Sequence, residues 1–184
     1  SNATIYCGAS PHFIDVDSKY LGIDTNKLRD YLKKNTFTKK KQTFNKQTLK
    51  KIVAIAPTHI FGQPSNMNEI LDISKEFNFK IVEDAAESLG SFYKNKHTGT
   101  IGDVGILSFN GNKIITTGGG GMILTNNYKI YNQAKMLSQV SKKPHPWKYE
   151  YKGLGFNYRM PNLNAALGCA QIKKLKNFLK EKKK

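Results

Sequence analysis

Two short stretches of this chain carry side chains able to do chemistry. Ile81 and Val82 run into the acids Glu83 and Asp84, and the next apolar run, Val104 to Phe109, is followed closely by Lys113. Polar groups just past strand ends stand where open α/β sheets place ligand sites. A lysine desolvated in a turn of small residues can lose its proton and attack an aldehyde as a free amine. A carboxylate opposite a ring nitrogen keeps that nitrogen protonated, so the ring draws electrons. Lys113 as an imine-forming lysine and Asp84 as a ring-holding carboxylate would therefore serve one aldehyde cofactor.

The neighbours suit that chemistry. Ser108 places a hydroxyl near the same strand end, where it can hydrogen-bond a phosphate. Ala85 and Ala86 are small enough for a flat ring to lie against the backbone, and Glu87 follows within reach. Gly118 to Gly121 give backbone freedom and close approach, but they lack the spacing of a phosphate-cradling P-loop. Flexible packing beside the lysine accounts for them equally well. In the loop Pro57 to Pro64, His59 either faces a ligand or packs within the loop.

The elements that must position these groups follow from periodicity. A strand is expected over His12 to Val16, with Asp15 and Asp17 at its end. Asp24 and Thr25 cap a helix through about Lys34, with Leu28, Tyr31 and Leu32 on one face. Residues 35–50 show little periodicity and read as a loop or ragged helix end. Lys51 to Ala56 suits a buried parallel strand. A helix capped by Ser65 or Asn66 carries Met67, Ile70, Leu71, Ile73 and Phe77, and Phe79 to Glu83 is the next strand. Residues 91–102 read as a hairpin excursion, followed by strands Val104 to Phe109 and Met122 to Thr125. Helices are expected from about Asn127 to Gln139 and from Asn162 to about Leu179, separated by a long loop. Helical connections between strands argue α/β class with a mostly parallel sheet.

The net charge is +17, yet it is almost all lysine, with Arg29 and Arg159 the only arginines. Specific phosphate and base recognition favours arginine's fork, so no specific nucleic-acid partner is expected; a basic nucleic-acid-binding regulatory module remains an alternative. The positive field suits an acidic substrate such as a sugar nucleotide. No apolar run approaches the roughly 18 residues of a membrane span. Cys7 and Cys169 lie in no metal-ligand spacing and read as reduced thiols of a cytoplasmic protein. Ser-Asn-Ala at residues 1–3 resembles the remnant of a cleaved tag.

The stretch EDAAESLGSFYKNKHTGTIGDVGILSFNGNKIITTGGGGMI, with PTHIFGQPSNMNEI before it and GFNYRMPNLNAALGCAQI after it, resembles the DegT/DnrJ/EryC1/StrS family of sugar-nucleotide aminotransferases. The resemblance implies the large domain of a fold type I pyridoxal-phosphate enzyme, a three-layer sandwich around a mostly parallel sheet. It implies pyridoxal 5'-phosphate as cofactor and Lys113 as Schiff-base lysine and proton shuttle. Asp84 would pair with the pyridinium, Ser108 bind the phosphate, Glu87 lie near the ring hydroxyl and Ala86 pack on the ring face. Asn157 would reach the phosphate of a neighbouring subunit in a homodimer, with Arg159 beside it; His59 and Arg159 are the candidate substrate contacts. Relatives with histidine at the lysine position are dehydratases, and Lys113 argues against that reaction. The implied reaction moves an amino group from an amino acid, glutamate in the first instance, to a keto nucleotide-sugar. The family's upstream phosphate loop and stacking aromatic, and its small C-terminal domain, have no counterpart here. Residues 4–184 are thus expected to form the central part of the large domain. A fragment that keeps the fold, and dimerises, without activity is the alternative.

Overall fold

Asp24 starts the first long helix by an ordinary capping bond. Its carboxylate accepts from the Asn26 and Lys27 amides at 3.0 Å each, satisfying donors that the helix itself leaves free. The computed structural model describes residues 1–182. In it a short helix α1 (Asn2–Tyr6), which takes in two of the residues assigned to a tag remnant, precedes this helix α2 (Thr25–Asn35). The strand expected over His12 to Val16 does not form. Val16 makes a single bridge to Ile23, and the Asp17 carboxylate accepts from the Lys19 and Tyr20 amides, bending the chain into a turn instead.

Residues 35–50, expected as a loop or ragged helix end, contain a hairpin of β1 (Thr36–Lys39) and β2 (Gln42–Asn45). Phe37 and Phe44 stack across it at 5.6 Å. Its two-residue turn, Lys40-Lys41, has both residues at positive φ, a geometry usually signalled by Asn-Gly. Lysines in those positions hide the hairpin from a sequence reading.

The main sheet has four strands, in the order β3 (Ala54–Ile55), β4 (Lys80–Asp84), β7 (Val104–Ser108) and β8 (Gly121–Leu124). β3 leads through a 3-10 turn (Ile60–Gly62) to α3 (Met67–Phe77) and back to β4, parallel to β3. The apolar stripe of α3 buries Met67, Ile70 and Ile73 completely, packed with Leu28 and Leu32 of α2 and Ile81 of β4. A small hairpin, β5 (Phe92–Tyr93) and β6 (Lys96–His97), then leads to β7, parallel to β4. β8 closes the sheet antiparallel to β7, giving a mostly parallel, mixed sheet.

Asn127 caps α4 (Tyr128–Leu137) through the Lys129 and Ile130 amides. The single final helix expected from Asn162 is two, α5 (Asn162–Ile172) and α6 (Leu175–Lys182). The break turns Leu175 and Phe178 onto a second apolar cluster of Ala85, Leu107, Phe109 and Ile115. Among the described residues no helix is long and apolar enough to cross a membrane.

Candidate active site

β4 and β7 lie side by side, so Asp84 and Ser108 end neighbouring strands. The loop after β3 continues the ladder along Asp84: the Asp84 amide donates to the Pro57 carbonyl at 2.8 Å, and its carbonyl accepts from the His59 amide at 3.0 Å. The Asp84 side chain accepts from the Ala86 amide at 3.1 Å, folding the carboxylate back over the turn. Ala85 is fully buried beneath it. Asp84, Ala86 and Glu87 thus share one turn at the strand end.

Lys113 is delivered by the turn after β7, where its amide donates to the Asn110 carbonyl at 3.1 Å. Its side chain is largely covered (17% exposed), and Nζ lies 3.4 Å from Glu87 Oε1. Glu87 Oε2 accepts from the Phe61 amide at 2.9 Å. That amide donor, opposed by partial burial and helped by the Lys113 ammonium, holds the Glu87 carboxyl below the usual carboxylate range. Ser108 Oγ accepts a long bond from the Asn110 amide at 3.4 Å, which leaves its hydroxyl hydrogen for another acceptor.

The glycine run is held at its far end and by α5. Gly118 and Gly120 have positive φ, and a Cβ on Gly121 would lie 2.8 Å from the Leu107 carbonyl oxygen. Asn164 of α5 donates its amide to the Thr117 and Gly119 carbonyls. Gly168 lets α5 approach Thr117, where a Cβ would come within 2.9 Å. The segment after the lysine is therefore clamped against α5.

His59 requires correction as a substrate contact. It is fully buried, with Nε2 3.0 Å from Glu83 Oε2 and Nδ1 accepting from the Ser65 amide at 3.1 Å. Because Nδ1 accepts an N–H, Nε2 is the ring nitrogen that donates to Glu83. Both nitrogens are used inside the chain, and no surface is left for a ligand.

Glu83 is a buried support of the strand end that the sequence reading missed. It is fully buried, and besides His59 it accepts the amides of Gly99 (2.8 Å), Ile101 and Gly102 (both 2.6 Å). Burial pushes its carboxyl up, but His59 and the three amides outweigh that and hold it low. The available signal was strand phase: Glu83 is two residues from Ile81, on the buried side of β4.

The motif Gly102-Asp103-x-Gly105 serves the same junction. Asp103 accepts from the Ile81 amide at 2.9 Å and pairs with Lys80 at 2.7 Å. A Cβ on Gly105 would lie 1.9 Å from the Gly99 carbonyl oxygen.

Asn157 and Arg159 are not brought to this site. Both are exposed; Asn157 bridges Gln139 through the backbone, and among the described residues no hydrogen bond or ion pair joins either side chain to Lys113 or Glu87. What does meet is the mostly covered Lys113 amine and the Glu87 carboxylate, beside two neighbouring strand ends that carry Asp84, Ala86 and Ser108. These residue types fit the aldehyde, ring nitrogen and phosphate of pyridoxal phosphate.

Comparison with known proteins agrees. The family model described as the DegT/DnrJ/EryC1/StrS aminotransferase family matches residues 1–184. A GDP-perosamine synthase of Caulobacter vibrioides is 36% identical over 179 residues, covering 97% of this chain and 44% of the relative. A UDP-4-amino-4,6-dideoxy-N-acetyl-beta-L-altrosamine transaminase of Campylobacter jejuni is 34% identical over 99% of this chain and 45% of the relative. The crystal structure of a DegT DnrJ EryC1 StrS aminotransferase from Brucella abortus superposes with a TM-score of 0.84 at 25% identity, over 96% of this chain and 44% of that one. The chain thus spans about 45% of the length of the curated relatives it matches.

Proposed function

The chain belongs to the DegT/DnrJ/EryC1/StrS aminotransferase family, which depends on pyridoxal phosphate, and from that premise we propose that it carries the lysine half of a sugar-nucleotide aminotransferase site. The substrates are a keto nucleotide-sugar and an amino-acid donor, with glutamate the first candidate. The observation that carries this reading is the mostly covered Lys113 amine 3.4 Å from Glu87, one turn beyond a strand whose neighbour ends at Asp84. Pyridoxal phosphate would supply an aldehyde for the amine and a protonated ring as electron sink.

Each residue then has a task that its position allows. Lys113 would hold the cofactor's aldehyde and serve as the proton carrier of the site. Asp84 would face the ring nitrogen and favour its charged form. Glu87 supplies a carboxylate beside the amine, Ala86 would offer a flat backbone surface, and Ser108 has a hydroxyl hydrogen that could be donated to the phosphate. Residues 4–184 form the central part of a large domain. The exposure of Asn157 and Arg159, together with the unburied apolar side chains Leu163 and Tyr158, supports a homodimer in which these residues face a second copy.

The test is spectroscopic. Pyridoxal phosphate should produce a band at about 410–430 nm in the protein and none in Lys113→Ala. Glutamate should bleach that band, and a keto nucleotide-sugar should restore it. A wild-type protein without the band at millimolar cofactor would overturn the assignment of Lys113. Bleaching by another amino acid alone would overturn only the choice of glutamate.

A further inference from the structure

Glu87, which faces Lys113, accepts from an amide of the same turn that carries the buried His59. His59 joins Glu83 through Nε2 (3.0 Å), the Ser65 amide through Nδ1 (3.1 Å) and the Asp84 carbonyl through its own amide (3.0 Å). Ser65 Oγ returns to the Thr58 carbonyl at 2.9 Å. The start of the 58–65 turn is therefore fastened to the end of β4, and Ser65 fastens its far end back to that start.

Within that turn Phe61 adopts φ 53, ψ 24, a left-handed conformation that a bulky aromatic residue rarely takes. Its ring is 83% exposed, so the conformation is not repaid by burial. What the conformation does is aim the Phe61 N–H at Glu87 Oε2 (2.9 Å), while Oε1 faces Lys113. Strain of this kind persists where the surroundings over-determine it, and here the surroundings are the His59–Glu83 pair.

We propose that His59 and Glu83 are positioning residues for the lysine site: they anchor the 58–65 turn, whose Phe61 amide holds Glu87 facing Lys113. This rests on reading Lys113 as the reacting amine. A carboxylate with one oxygen held by an amide favours one orientation, so the lysine meets its counter-charge mainly in one place. Lys113 is the charged group facing Glu87, and His59 the titratable group facing Glu83.

The experiment uses cofactor-free protein carrying 13C in the glutamate carboxyls. The chain has only six glutamates, and Glu87→Gln assigns the resonance of interest. In wild type the Glu87 midpoint should lie below the ordinary value of about 4.3. His59→Asn keeps an acceptor for the Ser65 amide and loses the Glu83 bond; His59→Gln does the reverse. A rise of the Glu87 midpoint toward the ordinary value in at least one folded variant is expected. An unchanged midpoint in both folded variants overturns the proposal.

If neither variant folds, wild-type amide exchange decides. The Phe61 and Ser65 amides should exchange at a common rate, as bonds of one turn that opens as a unit. Phe61 exchanging much faster than Ser65 would overturn the proposal. No measurement here contains pyridoxal phosphate, so failure of this positioning role and failure of Lys113 as the imine-forming lysine are told apart.

Discussion

The two flanks of the sheet differ in how they treat their side chains. On the β4 flank, α3 buries three side chains completely and even a charged residue, Glu83, is fully enclosed and fully hydrogen-bonded. On the β8 flank, Met122 and Ile123 are about half exposed, and α4 and α5 bury no residue at all. Leu163 of α5 is 86% exposed although its helix is apolar on several faces. Apolar helices of that kind are normally covered. The first flank is built to be complete within this chain, whereas the second presents surface. The lysine site lies where they meet, drawing Asp84 and Glu87 from the first and the clamped glycine run from the second.

The largest expected effect falls on the first flank. Gly105→Ala places a Cβ against the Gly99 carbonyl oxygen, backbone against backbone, and should cost about 4 kcal/mol or more, read as loss of folded protein in thermal unfolding. Retention of the wild-type Tm would break the picture of a close-packed junction.

Glu83→Gln comes next. The amide has one acceptor where the carboxylate accepted four donors, and its NH2 is forced against backbone N–H groups. A loss of about 3–5 kcal/mol in denaturant unfolding is expected. The Glu83 carboxyl is held low in the folded state, so its contribution is present above the ordinary glutamate value of about 4.3 and is lost as pH falls through the depressed folded value. The gap between wild type and Glu83→Gln should therefore narrow in acid.

A matched pair of truncations sharpens the comparison between flanks. Ile73→Ala removes a fully buried side chain and should cost about 2–4 kcal/mol. Leu163→Ala, on an equally apolar residue, should change monomer stability by less than about 0.5 kcal/mol. Equal losses in dilute, monomeric protein would erase the distinction.

Legibility in the sequence followed the same divide. α3, β4 and β7 were readable because their apolar residues repeat at helical or strand period, and Asp24 announced its helix by residue type. The hairpin of β1 and β2 was not, because lysines occupy its left-handed turn. The strand at His12 to Val16 failed because Asp17 binds its own neighbouring amides in place of a partner strand. At the site, Lys113, Glu87 and Asp84 were legible from type and spacing, and the structure places them at one strand-end junction. Glu83 stayed hidden because an acid next to Asp84 at a strand end reads as surface until its four donors, from residues 59, 99, 101 and 102, are known. His59 was misread for the same reason, since its partners are distant in sequence.

The most direct measurement reduces the protein with borohydride in the presence of pyridoxal phosphate and maps the adduct by peptide mass spectrometry. A single adduct on the peptide containing Lys113, absent from Lys113→Ala, is the expected result. Adducts spread over surface lysines such as Lys173 and Lys176, with Lys113 unmodified, would contradict the assignment of Lys113 as the reacting amine.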